Sequence, residues 1–154
     1  MIHWLQSLFK RNPKPRFEDL KFDTPEQLAE WMVMNLHYIP EPGYENYIKT
    51  PEETFKDGGG DCDDFSFFTQ HFFCGQLIGI WSESKSHCVN LAQDYRIMDL
   101  CRLKYFNGRS IEGICDALMP DWVYYGFLRR GRGGQAIITR KINKGDHHGD
   151  AERK

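Results

Sequence analysis

No stretch of this chain approaches the roughly 18 consecutive apolar residues that a membrane-spanning helix needs. Met1 to Phe9 is apolar in flavour, but it is too short for a signal-peptide core and lacks a small-residue cleavage site. An excess of either charge is also missing. The 20 Lys and Arg residues nearly balance 22 Asp and Glu, for a formal net charge of −2. That balance gives no general reason to expect nucleic acid or an anionic membrane as partner. The five cysteines are an odd number, and most lie inside apolar runs, which does not suit a secreted disulfide framework. Free thiols in a reducing, cytoplasmic compartment fit better. There is no internal repeat. There is also no CxxC pair or HxxxH spacing to support a zinc site built from Cys62, His87, Cys88 and an aspartate.

What is present suits one domain. The 154 residues can bury a core without staples, and 14% are aromatic, with 11 Phe among them. Residues 1–9 suit an amphipathic turn or two, and the basic run Lys10–Arg16 reads as a solvated linker. Together with the residues up to 23 they make an N-terminal extension. Thr24-Pro25-Glu26-Gln27 is a helix start, with Thr24 as N-cap and Gln27 as its capping-box partner. Leu28, Trp31, Met32 and Leu36 then predict a helix from about Pro25 to His37. Thr50-Pro51-Glu52-Glu53 repeats the signature for a short helix that Gly58 to Gly60 ends. Phe65, Phe68, Phe72 and Phe73 predict a buried helix after Cys62, reaching about Leu77. From there the pattern turns to strands: Leu77–Trp81, His87–Ala92 and, after a turn at Gln93-Asp94-Tyr95, Arg96–Cys101. A helix over Ser110–Leu118 and closing strands Val123–Leu128 and Gln135–Ile142 follow. Lys144 to Lys154 is polar and reads as a disordered tail. Helices first and strands later make an α+β domain over residues 1–143, with a helical part about 25–77 and a sheet part about 78–142.

Gly58-Gly59-Gly60-Asp61-Cys62-Asp63-Asp64 is the stretch that carries chemistry. It sets a thiol at a helix N-terminus, where unpaired N–H groups and the helix dipole favour the thiolate. The glycines allow a sharp turn and leave room for a substrate beside the sulfur, and the Cys62 N–H is available as an oxyanion donor. Asp61, Asp63 and Asp64 would raise the thiol pKa if they faced it. All three suit a helix start, so they are expected to point away, with Asp64 as a structural hydrogen-bonder.

A thiol nucleophile needs a base. His3, His147 and His148 lie near the ends, His37 suits a helix C-terminus, and His71 is too far along the Cys62 helix. His87 remains. A hairpin centred on Gln93 sets Asp99 directly across from His87, close enough for a carboxylate to hold an imidazole N–H. Each residue has a plainer reading: Cys62 as a small core residue, His87 as structural and Asp99 as a strand end. Their combination in this order is what points to a Cys-His-Asp triad.

Gly60-Asp61-Cys62-Asp63-Asp64-Phe65, preceded by Thr50-Pro51-Glu52-Glu53-Thr54-Phe55, resembles the nucleophile segment of the transglutaminase-like superfamily. In particular it resembles the bacterial transglutaminase-like cysteine proteinases and related phage proteins. His87 with Val89, and Asp99 after Ile97-Met98, are similar to that superfamily's later motifs. The resemblance spans about residues 25–101. It implies a papain-like core in which a cysteine-bearing helix packs on an antiparallel sheet carrying His and Asp. Cys62 would then be nucleophile, His87 base then acid, and Asp99 orienter. The implied activity is amide-bond hydrolysis or acyl transfer on a protein or peptide, glutamine side chains included. It implies no cofactor and no calcium dependence. A second oxyanion donor has no distinctive spacing; Trp31, Tyr44 and Tyr47 are the candidates, beside the backbone at Gly60. The alternative is an inactive relative serving as a binding or virion-assembly module, in a host cytoplasm if phage-encoded.

Overall fold

The computed structural model describes residues 15–40, 47–92, 94 and 96–146. Among them the chain is mixed α+β, with four α-helices and a six-stranded antiparallel sheet. The expected amphipathic turns at 1–9, most of the basic run, Tyr44, His3, His147 and His148 lie outside the described residues.

The first two helices begin where their capping residues place them. Helix α1 (Pro25–Asn35) is capped by Thr24, which accepts from the Gln27 N–H. The Gln27 carboxamide closes the box one residue further back than expected, accepting from the Asp23 N–H at 2.9 Å. The helix stops at Asn35, and His37-Tyr38 instead forms a short strand, β1. Helix α2 (Pro51–Asp57) has the full Thr50–Glu53 capping box and ends on Gly58 at φ 72°, a left-handed position that suits glycine. Strand β2 (Gly59–Gly60) then pairs in parallel with β1, setting His37 beside Gly59 and Tyr38 beside Gly60.

Helix α3 (Cys62–Phe72) follows at once, and it ends before the Leu77 that the sequence pattern suggested. Leu77 belongs to β3 (Gln76–Trp81), where it is fully buried. Strands β4 (Ser86–Leu91), β5 (Arg96–Asp99) and β6 (Arg102–Tyr105) succeed one another as hairpins. The strand expected over Arg96–Cys101 is thus two strands. A two-residue turn at Leu100-Cys101 reverses the chain, with Leu100 at φ 53°, an unfavourable angle for a branched residue. Helix α4 (Ile111–Leu118) is capped by Ser110, and strands β7 (Tyr124–Arg130) and β8 (Ala136–Asn143) close the sheet. The strand order is β6-β5-β4-β3-β7-β8. The chain past β8 is not immediately free. The Lys144 N–H donates to the Val123 carbonyl, and Asn143 donates to Asp146.

Strand alternation sorts the side chains between two faces of the sheet. Ile78, Ile80, Val89, Ile97, Tyr125 and Ile142 pack with Ile114 and Cys115 of α4 and with Met119 and Trp122. On the opposite face Leu77, Cys88 and Leu128 pack against Cys62 and Phe67 of α3. Beside them Met98 meets Leu28 and Met32 of α1 and Phe65 and Phe68 of α3. The cysteine-bearing helix therefore lies on the sheet with its N-terminus near β4.

Candidate active site

The turn into Cys62 is built by close backbone approach. A Cβ at Gly59 would collide with the His37 carbonyl, and one at Gly60 would collide with the Asp64 side chain. Asp61 is the N-cap of α3 and accepts from the Asp63 and Asp64 N–H groups. Asp64 reaches back to accept from the Asp61 N–H at 3.1 Å. Its other oxygen accepts from the Lys49 N–H at 2.7 Å. The side chain of Asp64 is fully buried, and the Lys49 ammonium, 3.9 Å away, supplies a partial counter-charge. Asp64 is the structural hydrogen-bonder that the sequence suggested, fixing the main chain just before Cys62.

The Cys62 side chain is half-buried and opens into a cleft of about 210 Å³. His87, Ser86 and Asp63 line the cleft beside it, with Trp81, Tyr124, Leu128 and Ile138 forming an apolar wall. Trp81 and Tyr124 stack with centroids 4.8 Å apart, and the indole lies over Gly79, where a side chain would block it. Burial pushes the Cys62 thiol up to about 12, and the charges of Asp61 and Asp63 add to the rise. The N–H groups of Cys88 and of Cys62 itself favour the thiolate but do not offset this. The expectation that all three aspartates face away from sulfur therefore holds only for their role at the helix start. At the start of α3, Asp61 and Asp63 are close enough for their charge to reach the thiol. The carboxylate oxygens of Asp61, Asp63 and Asp64 lie within 4.8 Å of one another, but Asp61 and Asp64 already spend theirs on main-chain N–H groups.

His87 and Asp99 are joined, by a register different from the expected one. The β4–β5 ladder pairs Asn90 with Met98 and Leu91 with Ile97, so the hairpin centres on Asp94 rather than Gln93. Continued by one step, that register sets Asp99 across from Val89 and diagonal to His87. The two stay on the same face, because alternation preserves the side at every second residue. The His87 Nε2 lies 2.6 Å from Asp99 Oδ1. The second carboxylate oxygen accepts from Lys104 Nζ at 2.5 Å. Burial raises the Asp99 carboxyl, but the hydrogen bonds and charges of His87 and Lys104 outweigh it and hold it at about 2. An ionised carboxylate is only an acceptor, so neutral His87 carries its proton on Nε2. Its Nδ1 lone pair is left for another partner.

Of the other residues singled out from the sequence, Trp31 is stacked between Phe55 and Phe68, at 6.1 and 5.9 Å, in the α1–α3 core. The Tyr47 hydroxyl donates to Glu53, and its ring packs against Gly134 and beneath Arg130. Neither lines the cleft. His71 is exposed, edge-on to Phe72. Tyr38, more than half exposed, also lies near the turn into Cys62. The β1–β2 pairing sets it beside Gly60, and its hydroxyl is held above the usual phenol range by burial and by the charges of Cys62, Asp61 and Asp63. No local spacing reveals it, because two-residue strands 22 positions apart leave no periodic trace. Lys104 was missed for a related reason: β6 follows a turn that has neither glycine nor proline. Among the described residues no helix is long and apolar enough to cross a membrane. Searches against family models, curated proteins and solved structures each return no match to this chain.

Proposed function

We propose that this protein is a thiol-dependent amide-bond hydrolase or acyltransferase built on a transglutaminase-like, papain-like core. The observation that carries the reading is that His87, held by Asp99, is among the residues lining the cleft into which Cys62 opens. With the thiol at about 12, only about one site in 10⁵ carries a resting thiolate at neutral pH. The proton therefore leaves as the bond forms. His87 Nδ1 takes it while Cys62 Sγ attacks the carbonyl, and the Asp99 carboxylate stabilises the imidazolium. The developing oxyanion is met by the Cys62 N–H. His87 then returns its proton to the leaving amine, and the acyl-enzyme passes to water or to a second amine. The apolar wall of Trp81, Tyr124, Leu128 and Ile138 suits a protein or peptide chain beside the scissile amide. This chemistry needs no metal and no cofactor. The five free thiols suit a reducing cytoplasm, of a bacterium or of a phage-infected host.

One observation favours a second reading. A thiol this far above its ordinary range is also what a degenerate site would hold, in a chain serving as a binding or virion-assembly module. Site-resolved iodoacetamide alkylation separates the two. On the enzyme reading Cys62 reacts faster than half-buried Cys101 at neutral pH, and His87→Ala slows Cys62 alone. Equal rates at the two thiols, unchanged in His87→Ala, would refute it. Mass spectrometry after incubation with a cell lysate and a generic amine then distinguishes hydrolysis from transamidation.

A further inference from the structure

The Asp99 carboxylate is shared between two basic side chains reaching it from neighbouring strands. His87 of β4 takes Oδ1 at 2.6 Å, and Lys104 of β6 takes Oδ2 at 2.5 Å. The register shows how. On the β5–β6 ladder Asp99 pairs with Arg102 and Ile97 pairs with Lys104, so Lys104 is diagonal to Asp99 on the same face. His87 is diagonal to Asp99 from the other side. Asp99 sits at the turn end of β5, immediately before Leu100 at φ 53°, and the carboxylate bridges three strands.

From this placement we infer that Lys104 is a positioning residue of the site: it fixes the Asp99 carboxylate toward His87 and weakens the hold of His87 on its proton. The inference rests on the triad reading for its consequence in catalysis, but not for its physical basis. An Asp99 bound to His87 alone would direct its whole charge at the imidazole and favour a standing imidazolium. Such a ring has no lone pair left to take a proton from a neutral thiol. Lys104 neutralises part of that charge. It also occupies the second oxygen, so the carboxylate cannot rotate away from Nε2.

The other groups around His87 do not supply this effect. Ile80 of β3, directly across the ladder, is apolar. Cys62, Asp61 and Asp63 at the start of α3 are a neutral thiol and two carboxylates, and carboxylates strengthen the hold of His87 on its proton. On the α4 face, Glu112 is bonded to the Tyr125 hydroxyl, and Asp116 to Trp122 and Lys144. Lys85, just before β4, pairs with Asp121. Arg102, opposite Asp99, is exposed.

The test is an NMR titration of the His87 imidazole in wild type, Lys104→Met, Lys104→Gln and Lys104→Arg, together with the pH profile of Cys62 alkylation by iodoacetamide. Lys104 is 39% exposed, so solvent screens part of its charge. Its removal should move the His87 midpoint up by about half a unit to one unit, a three- to tenfold tighter hold on the proton. The acid limb of the alkylation profile should move by the same interval, and Lys104→Arg should restore both. A midpoint that stays in place, or moves down, in both Met and Gln variants overturns the inference. If the midpoint moves as expected but Cys62 alkylation is insensitive to His87 in every variant, the inference stands and the triad reading fails.

Discussion

Asp99→Asn tests the electrostatics of the site most directly. The Asp99 side chain is 13% exposed, and in the folded state its carboxyl is held at about 2, against an ordinary 3.8. A carboxyl whose pKa is lowered by folding stabilises the fold wherever it is ionised in both states. That difference corresponds to about 2 kcal/mol at neutral pH. The contribution is present above about pH 4 and is lost as the pH falls toward 2, where the folded carboxyl also protonates. Asparagine keeps the shape and one acceptor oxygen but removes the charge that His87 and Lys104 share. Urea unfolding should therefore show Asp99→Asn about 2 kcal/mol less stable than wild type at pH 7, with the gap closing between pH 4 and pH 2. A gap that is absent at pH 7, or that persists undiminished into acid, would mean that the carboxylate is not paired in solution as described. The same variant should also slow Cys62 alkylation, because the amide no longer fixes the ring tautomer.

Two further outcomes follow from the turn into Cys62. Asp64→Ala leaves the part-buried Lys49 and Asp61 N–H groups without an acceptor, at about 1–3 kcal/mol each, and should lower stability by about 2–6 kcal/mol in chemical denaturation. A cost below 1 kcal/mol would show that water replaces the carboxylate. Asp61→Asn keeps the helix cap but removes a negative charge that raises the Cys62 thiol, so alkylation at pH 8 should quicken severalfold relative to wild type, and an unchanged rate would show that its charge does not reach the sulfur.

Local chemistry made much of this protein legible before any tertiary contact was known. Thr24, Thr50 and Ser110 each start a helix because a hydroxyl beside an unpaired N–H is a local event. The glycines before Cys62 and the carboxylates around it announced the tight turn into that helix for the same reason. Within a hairpin, the pairing of His87 with Asp99 was also within reach, because both faces repeat every second residue. The centre of that hairpin was misjudged by one position, yet His87 and Asp99 stayed on one face. A slip at the turn moves the register by two, and a shift of two preserves the face.

The sequence by itself determined the element order, the capped helix starts and the identity of the residues that could do chemistry, since each depends on neighbours a few positions apart. Only the tertiary structure decided what surrounds them. The β1–β2 pairing brought Tyr38 to Gly60, while packing set Trp31 and Tyr47 away from the cleft that they had seemed suited to line. The turn at Leu100-Cys101 carried Lys104 back to Asp99. Burial on the sheet, together with two aspartates at the helix start, raised the thiol that a helix N-terminus alone would have lowered. Charge and desolvation act through space, and a protonation state is therefore set by the folded surroundings rather than by position along the chain.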